Sequence, residues 1–266
     1  MLLLDRFHEG KKLILTMSYD DGNIADRRLV EIFNKYGIRG TFHLNSGWFD
    51  VSPNVIKSDE VATLYKNHEV AVHTVNHPTL AKVAPATVAK ETIDDRKNIE
   101  KLCRYVVRGM SYPNGSYNDE VISILKGCGI VYSRVVASTL HFSLPENFMR
   151  WEPTAHHKFA PEIAKKFVEL VNSERPYPAL CYIWGHSYEF DKDDNWDLIE
   201  DFCRTVGGFD NVWYATNIEI YDYLTAQKSL HISADESIVY NPTQIDVWIT
   251  KDKECVKIPA GETVYF

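Results

Sequence analysis

Between Lys12 and Leu224, short apolar runs alternate with segments patterned as amphipathic helices, and this alternation constrains the fold more than any other feature of the chain. The strand-like runs are Lys12 to Tyr19, Gly40 to Asn45, Glu69 to Val72, part of Tyr105 to Tyr112, Ile130 to Val136, Ala179 to Trp184 and Val212 to Ala215. Between them lie helix signals with recognisable ends. Gly37 stops the helix from Ala25 to Tyr36, Pro85 opens a long helix, Asn118 caps another, and Thr216-Asn217-Ile218-Glu219 is a capping box. Strands separated by helices must run parallel, joined by right-handed crossovers. Seven such units predict an α/β fold, a distorted (β/α)7 barrel. From Ser229 the pattern changes to β-branched runs (IDVWIT, CVKIP, TVYF) broken by Asn241-Pro242 and Gly261. The expected organisation is a barrel over residues 1–228 and a small antiparallel β extension over 229–266.

With 266 residues, 45% hydrophobic and 25% charged, the chain is long enough for one well-buried α/β domain. A net charge of −8 argues against nucleic acid as a partner, and the absence of a long apolar stretch argues against a membrane. The five cysteines, at 103, 128, 181, 203 and 255, form no CxxC pair, so a thiolate metal cage or disulfide framework is not expected. The start, Met1-Leu2-Leu3-Leu4-Asp5-Arg6, lacks the form of a signal peptide, and the expected location is the cytoplasm.

The chemistry-bearing residues sit just past the strand-like runs, where an α/β barrel collects its catalytic groups. Asp20 and Asp21 end the first. Adjacent residues at a strand end point in different directions, so one can bind a metal while the other holds water as a base; the bland alternative is a plain Asp-Gly turn. His73 and His77 follow the third. In a helical turn their spacing places both imidazoles on one side, a zinc-type pair that needs a carboxylate as third ligand; otherwise they are surface histidines. Tyr112-Pro113-Asn114-Gly115 is a turn able to aim a backbone N–H at an oxyanion. His186 ends the sixth run, placed to protonate a leaving amine or to serve as a core histidine. Tyr19, Trp48, Tyr112 and Trp184 are candidate substrate-binding aromatics, although core packing is the commoner fate of such rings. His156 and His157 lie in an irregular stretch and receive no role.

Taken together, Ser18-Tyr19-Asp20-Asp21-Gly22, His73-Thr74-Val75-Asn76-His77, Ser111-Tyr112-Pro113-Asn114-Gly115 and His186 resemble, in order, motifs of the polysaccharide deacetylase family (carbohydrate esterase family 4, the nodulation-factor deacetylase homology domain), as a divergent branch. The resemblance implies a metal-dependent hydrolase that removes N-acetyl or O-acetyl groups from a sugar or oligosaccharide. It implies Asp20 as general base, Asp21, His73 and His77 as ligands of a divalent metal (most often zinc), the Asn114 N–H as oxyanion donor and His186 as general acid. Three features depart from the family pattern: Ser111 stands where an arginine would pair with Asp20, Asn114 stands where the third motif has an aromatic, and no fourth motif supplies an aspartate to orient His186, leaving Glu152 and Glu189 as candidates. Arg108 should face away from the site, and of Arg134 and Arg150 the second, in a stretch able to fold over the barrel mouth, is the expected replacement; the alternative is that Arg150 lies on the surface and Asp20 relies on backbone N–H groups alone. Competing readings are an amidohydrolase of the same fold acting on a small non-sugar C–N bond, or a non-catalytic carbohydrate-binding relative. A homo-oligomer is compatible with all of them.

Overall fold

The structure, a computed structural model, describes residues 1–174 and 176–266. A short strand β1 (Leu2–Leu3) is followed by β2 (Leu13–Asp20), α1 (Asp26–Lys35), β3 (Gly40–Leu44), α2 (Val61–Leu64), β4 (Glu69–Val72), α3 (Pro85–Cys103), β5 (Gly109–Ser111), α4 (Asp119–Gly127) and β6 (Tyr132–Arg134). Then come β7 (Ala155–His156), α5 (Ala160–Val171), β8 (Ala179–His186), α6 (Tyr188–Lys192), α7 (Trp196–Val206), β9 (Val212–Tyr214) and α8 (Asn217–Lys228). The chain ends in β10 (His231–Ile232), β11 (Ile238–Tyr240), β12 (Val247–Lys251), β13 (Glu254–Ile258) and β14 (Thr263–Tyr265).

The parallel strands are ordered β6-β5-β4-β3-β2-β8-β7. β2 is the hub. Every one of its residues is buried, which is why it reads as an unbroken apolar run rather than an alternation. It pairs with β8 from Leu13 to Asp20, with β3 from Met17 to Asp20 and with β9 from Leu13 to Leu15. The sheet curls toward closure because Arg134 of β6 bridges in parallel to Trp151, and the chain from Trp151 runs on into β7 beside β8. The fold is thus a distorted (β/α)7 barrel.

One stave is not where the sequence placed it. Val212–Ala215 was expected as the seventh, yet β9 pairs only with the lower half of β2. The seventh stave comes instead from residues 151–156, in the stretch that reads as irregular. Pro153 interrupts it, and of these residues Ala155 and His156 pair as regular strand, so it carries little strand signal.

The C-terminal extension forms two antiparallel three-stranded sheets, β10-β11-β14 and β1-β12-β13. The second recruits β1, with Leu2 opposite Lys251. Val239, Val247, Ile249 and Ile258 share a core with Phe7, Ile14, Leu180, Tyr223 and Leu224, so the extension packs against the barrel foot together with α8. Because α8 packs on both sides, Ile220, Tyr223, Leu224, Ala226 and Gln227 are all buried. Among the described residues no helix is long and apolar enough to cross a membrane.

Candidate active site

Parallel strands point their C-terminal ends the same way, and this gathers Asp20 (β2), His73 (after β4), Ser111 (β5), Arg134 (β6), His156 (β7) and His186 (β8) at one end of the barrel. Asp21 follows at φ 78, and its Oδ1 lies 3.7 Å from His73 Nε2 and 3.8 Å from His77 Nε2. These separations are too long for hydrogen bonds, and among the described residues the buried Oδ1 has no hydrogen-bond partner. Metal–N and metal–O bonds of about 2.0–2.2 Å let one ion sit among three atoms so spaced. The tautomer agrees. His73 Nδ1 lies 2.9 Å from the Ser111 carbonyl, which only accepts, so Nδ1 donates and Nε2 turns a lone pair toward Asp21. Burial pushes the His73 pKa down to about 3, leaving a neutral ligand. Burial and the neighbouring Asp20 push the Asp21 pKa up, against the pull of His186 and His77.

The loop carrying both histidines is not the helical turn that their spacing suggests. Thr74 and His77 hold φ 69 and φ 56, and this left-handed bend, rather than a helix face, brings the two rings to 4.8 Å.

Asp20 is buried. Its Oδ1 accepts from Ser111 Oγ at 3.0 Å and lies 3.2 Å from His43 Nδ1, while its Oδ2 binds the Arg134 guanidinium. Burial alone would raise its pKa; Arg134, His73 and His43 outweigh burial and hold it well below the usual carboxylate range. Arg134 stands opposite Ser111 in the β5–β6 register. The cation absent from position 111 is therefore supplied by its cross-strand neighbour, and the small Ser111 also reaches the carboxylate itself.

Arg150 does not take this role. Its flanking residues Met149 and Trp151 occupy the inward positions, and it turns outward to pair with Asp119.

Three of the four proposed aromatic contacts are packing residues. Tyr19 alternates with Asp20 along β2, so it points to the opposite face, where it stacks on His157 and packs near Phe33, Phe42 and Phe190. Tyr112 is buried and donates to the Met149 carbonyl at 2.7 Å. Trp184 donates to the Ala137 carbonyl at 2.8 Å, and the Arg134 guanidinium lies 4.5 Å from its ring centroid. Trp48 remains beside the site, half-buried and 5.7 Å from the His77 ring. Asn114 occupies φ 56 in the turn after β5, and its side-chain amide donates to Thr79 Oγ1 at 3.2 Å.

His186 Nε2 lies 4.0 Å from Asp21 Oδ2, and its Nδ1 lies 3.5 Å from Glu189 Oε1. Burial lowers its pKa, but Glu189, Asp20 and Asp21 outweigh burial and raise it. Glu189 Oε2 is also 3.0 Å from His156 Nε2 and 3.1 Å from His157 Nε2. Glu189 with His156 and His186 could pass for a second metal cage. The tautomer argues otherwise. His156 Nδ1 accepts the Lys158 N–H at 3.3 Å, so its proton sits on Nε2 and is donated to Glu189. We read the cluster as an electrostatic anchor for His186, whose Nδ1 faces the Glu189 carboxylate at 3.5 Å and whose backbone N–H donates to Glu189 Oε2 at 3.4 Å. The sequence left Glu189 as one of two candidates and gave His43 no role; the signal for His43 is register, since it lies opposite Asp20 in the β2–β3 ladder.

A parallel barrel that presents an Asp-His-His triad beside a second carboxylate and a separate histidine has the parts of a metal-assisted hydrolase. Residues 8–133, just under half of the chain, match the sequence model of the polysaccharide deacetylases, and over that stretch the chain is similar to the family. A chitooligosaccharide deacetylase of Bradyrhizobium sp. (strain ANU 289) is 24% identical over 117 residues, 43% of this chain and 52% of that protein. The uncharacterized protein YlxY of Bacillus subtilis (strain 168) is 26% identical over 103 residues, 39% of this chain and 31% of that protein. The matches thus span only about a third to a half of these relatives. Among solved structures, a candidate polysaccharide deacetylase from Mycobacterium smegmatis aligns with TM-score 0.62 and 15% identity over 86% of this chain and 96% of the other. A CE4 family pseudoenzyme from Bacillus anthracis aligns with TM-score 0.52 and 19% identity over 80% and 66%. At these identities the structural likeness is one of fold.

Proposed function

We propose that this chain hydrolyses acetyl groups, N-linked or O-linked, on a sugar or oligosaccharide, with a divalent metal, zinc, held by Asp21, His73 and His77. The observation that carries the reading is the buried Asp21 Oδ1, which faces two imidazole Nε2 atoms and has no hydrogen-bond partner among the described residues. Two imidazoles and one carboxylate with room for water suit zinc. Such an ion supplies Lewis acidity toward the acyl oxygen and toward water. Asp20, held ionised by Arg134, takes the proton of the attacking water. His186, anchored through Glu189, delivers a proton from Nε2 to the departing nitrogen or oxygen. Trp48 beside His77 and Tyr188, 5.2 Å from the His186 ring, form aromatic walls against which a sugar ring can lie. The backbone N–H of Asn114 is assigned to the oxyanion. The lost arginine was the feature that favoured a non-catalytic relative, and Arg134 beside Asp20 removes that argument.

Protein dialysed against zinc without chelator is expected to carry one equivalent, and the His73→Ala/His77→Ala variant none, measured by elemental analysis. Full occupancy in that variant would place the ion elsewhere and end this reading. His186→Ala is expected to slow hydrolysis of acetamides by about 10²–10⁴-fold, the range for a general acid. Activated acetyl esters, whose leaving groups need no proton, should suffer much less. Equal losses on both substrates would remove His186 from the acid role.

A further inference from the structure

The His73–His77 loop is gripped at several points by groups that bind neither metal nor substrate. Asn45, just past β3, donates from Nδ2 to the carbonyls of His73 (2.6 Å) and Thr74 (2.9 Å). Asp95 of α3 accepts the His73 N–H at 3.1 Å through Oδ2 and the Ser46 N–H at 2.9 Å through Oδ1. One turn earlier on α3, Glu91 accepts both the backbone N–H and the side-chain amide of Asn76, each at 2.8 Å. Gly47 N donates to the Val75 carbonyl at 3.1 Å, and a Cβ at position 47 would lie 2.6 Å from that oxygen, so this approach needs glycine. Between these grips sits Thr74, a buried β-branched residue held at φ 69, where L side chains are disfavoured.

Two carboxylates at i and i+4 on one helix face repel each other and give an isolated helix no benefit. Here both are aimed at one loop, and each meets backbone N–H groups there. Left to itself, Thr74 would relax toward a right-handed or extended conformation and the two imidazoles would separate.

We propose that Asn45, Glu91 and Asp95 are positioning residues that form a clamp. The clamp pre-bends the loop so that His73 and His77 converge before an ion arrives. The inference rests on the metal reading above and extends it: metal affinity in this chain is set partly by α3 and by the loop after β3. Groups that orient ligands typically change affinity by roughly 10–100-fold when removed.

The test is Co2+ affinity of the full chain by competition with a chromogenic chelator, together with the Co2+ absorption band, for wild type, His73→Ala, Asp95→Asn and Glu91→Ala. Asp95→Asn keeps the shape but offers only one accepting oxygen for two N–H groups, and Glu91 is only half-buried, so both variants should fold. The expected result is an affinity loss of about tenfold or more in Asp95→Asn, a smaller loss in Glu91→Ala, and a changed Co2+ band in both. A lowered melting temperature with wild-type affinity and band would mean general stabilisation only and would overturn the clamp, while loss of binding in His73→Ala left the metal reading intact. Failure of the wild-type chain to bind Co2+ would overturn both.

Discussion

Asp20→Asn is expected to leave the barrel and its metal in place and to cut turnover by at least about 10²-fold, the scale on which general bases act. The substitution is close to isosteric, and its effects can be followed atom by atom. An asparagine oxygen turned toward Arg134 still accepts from the guanidinium. Its NH2 then faces Ser111 Oγ and His43 Nδ1, both of which can accept. The metal ligands Asp21, His73 and His77 lose no partner. The negative charge beside Arg134 is gone, so some stability is lost, but the larger loss is the ability to take a proton from water. Turnover is measured on an N-acetyl sugar panel, with zinc content and circular dichroism measured on the same samples. Near-normal turnover by zinc-loaded, folded Asp20→Asn would show that the base is another group.

The strand ends were legible because they combine two strong signals, a buried apolar run and polar chemistry immediately after it. Asp20, Asp21, His73 and His186 were placed at one barrel end on that basis, and the structure brings them together. What was not legible depends on register and on side-chain direction. Arg134 and Ser111 are far apart in the sequence, separated by a turn and a helix, and nothing local says that they stand opposite each other. Arg150 was plausible only while the course of residues 151–156 was unknown. Once those residues form a stave, the inward positions belong to Met149 and Trp151. Arg108 does face away, paired with Asp222 of α8. Tyr19 and Trp184 were tempting because they adjoin motif residues. The two-residue period of a strand sends Tyr19 away from Asp20, and it sets Trp184 one layer below His186, beside Arg134. The bend at Thr74 has no threonine-specific signal. A left-handed threonine is imposed by Asn45, Glu91 and Asp95, and only their convergence in space shows why.

Arg134→Met is expected to destabilise the fold by about 3–5 kcal/mol, because it leaves a buried carboxylate without its counter-charge. It is also expected to invert the pH dependence that Asp20 contributes. In the wild type, the folded pKa of Asp20 lies below its unfolded value of about 3.9. Its contribution to stability is therefore fully present above pH ~4 and is lost as the pH falls through the folded value. Without Arg134, burial is opposed by His73, His43 and the Ser111 hydroxyl, none of which is a permanent cation, and the folded pKa should rise above the unfolded one. Asp20 then favours folding only while protonated, and stability should fall as the pH climbs from about 4 toward the new folded pKa. The same change acts on catalysis, since a base that ionises later moves the acidic limb of the pH–rate profile to higher pH. Arg150→Ala, which disturbs a surface pair with Asp119 and a contact with the Tyr117 ring, both remote from Asp20, should move neither the denaturation curve nor the limb. The measurements are urea denaturation across pH 4–8 and rate profiles for both variants. If Arg134→Met keeps the wild-type limb and stability curve, Arg134 does not maintain the Asp20 charge, and the two neutral partners Ser111 and His43 must suffice. The opposite pattern, a shift in Arg150→Ala alone, would mean that the mouth of the barrel reorganises in solution and that the pairing described here is not the working one.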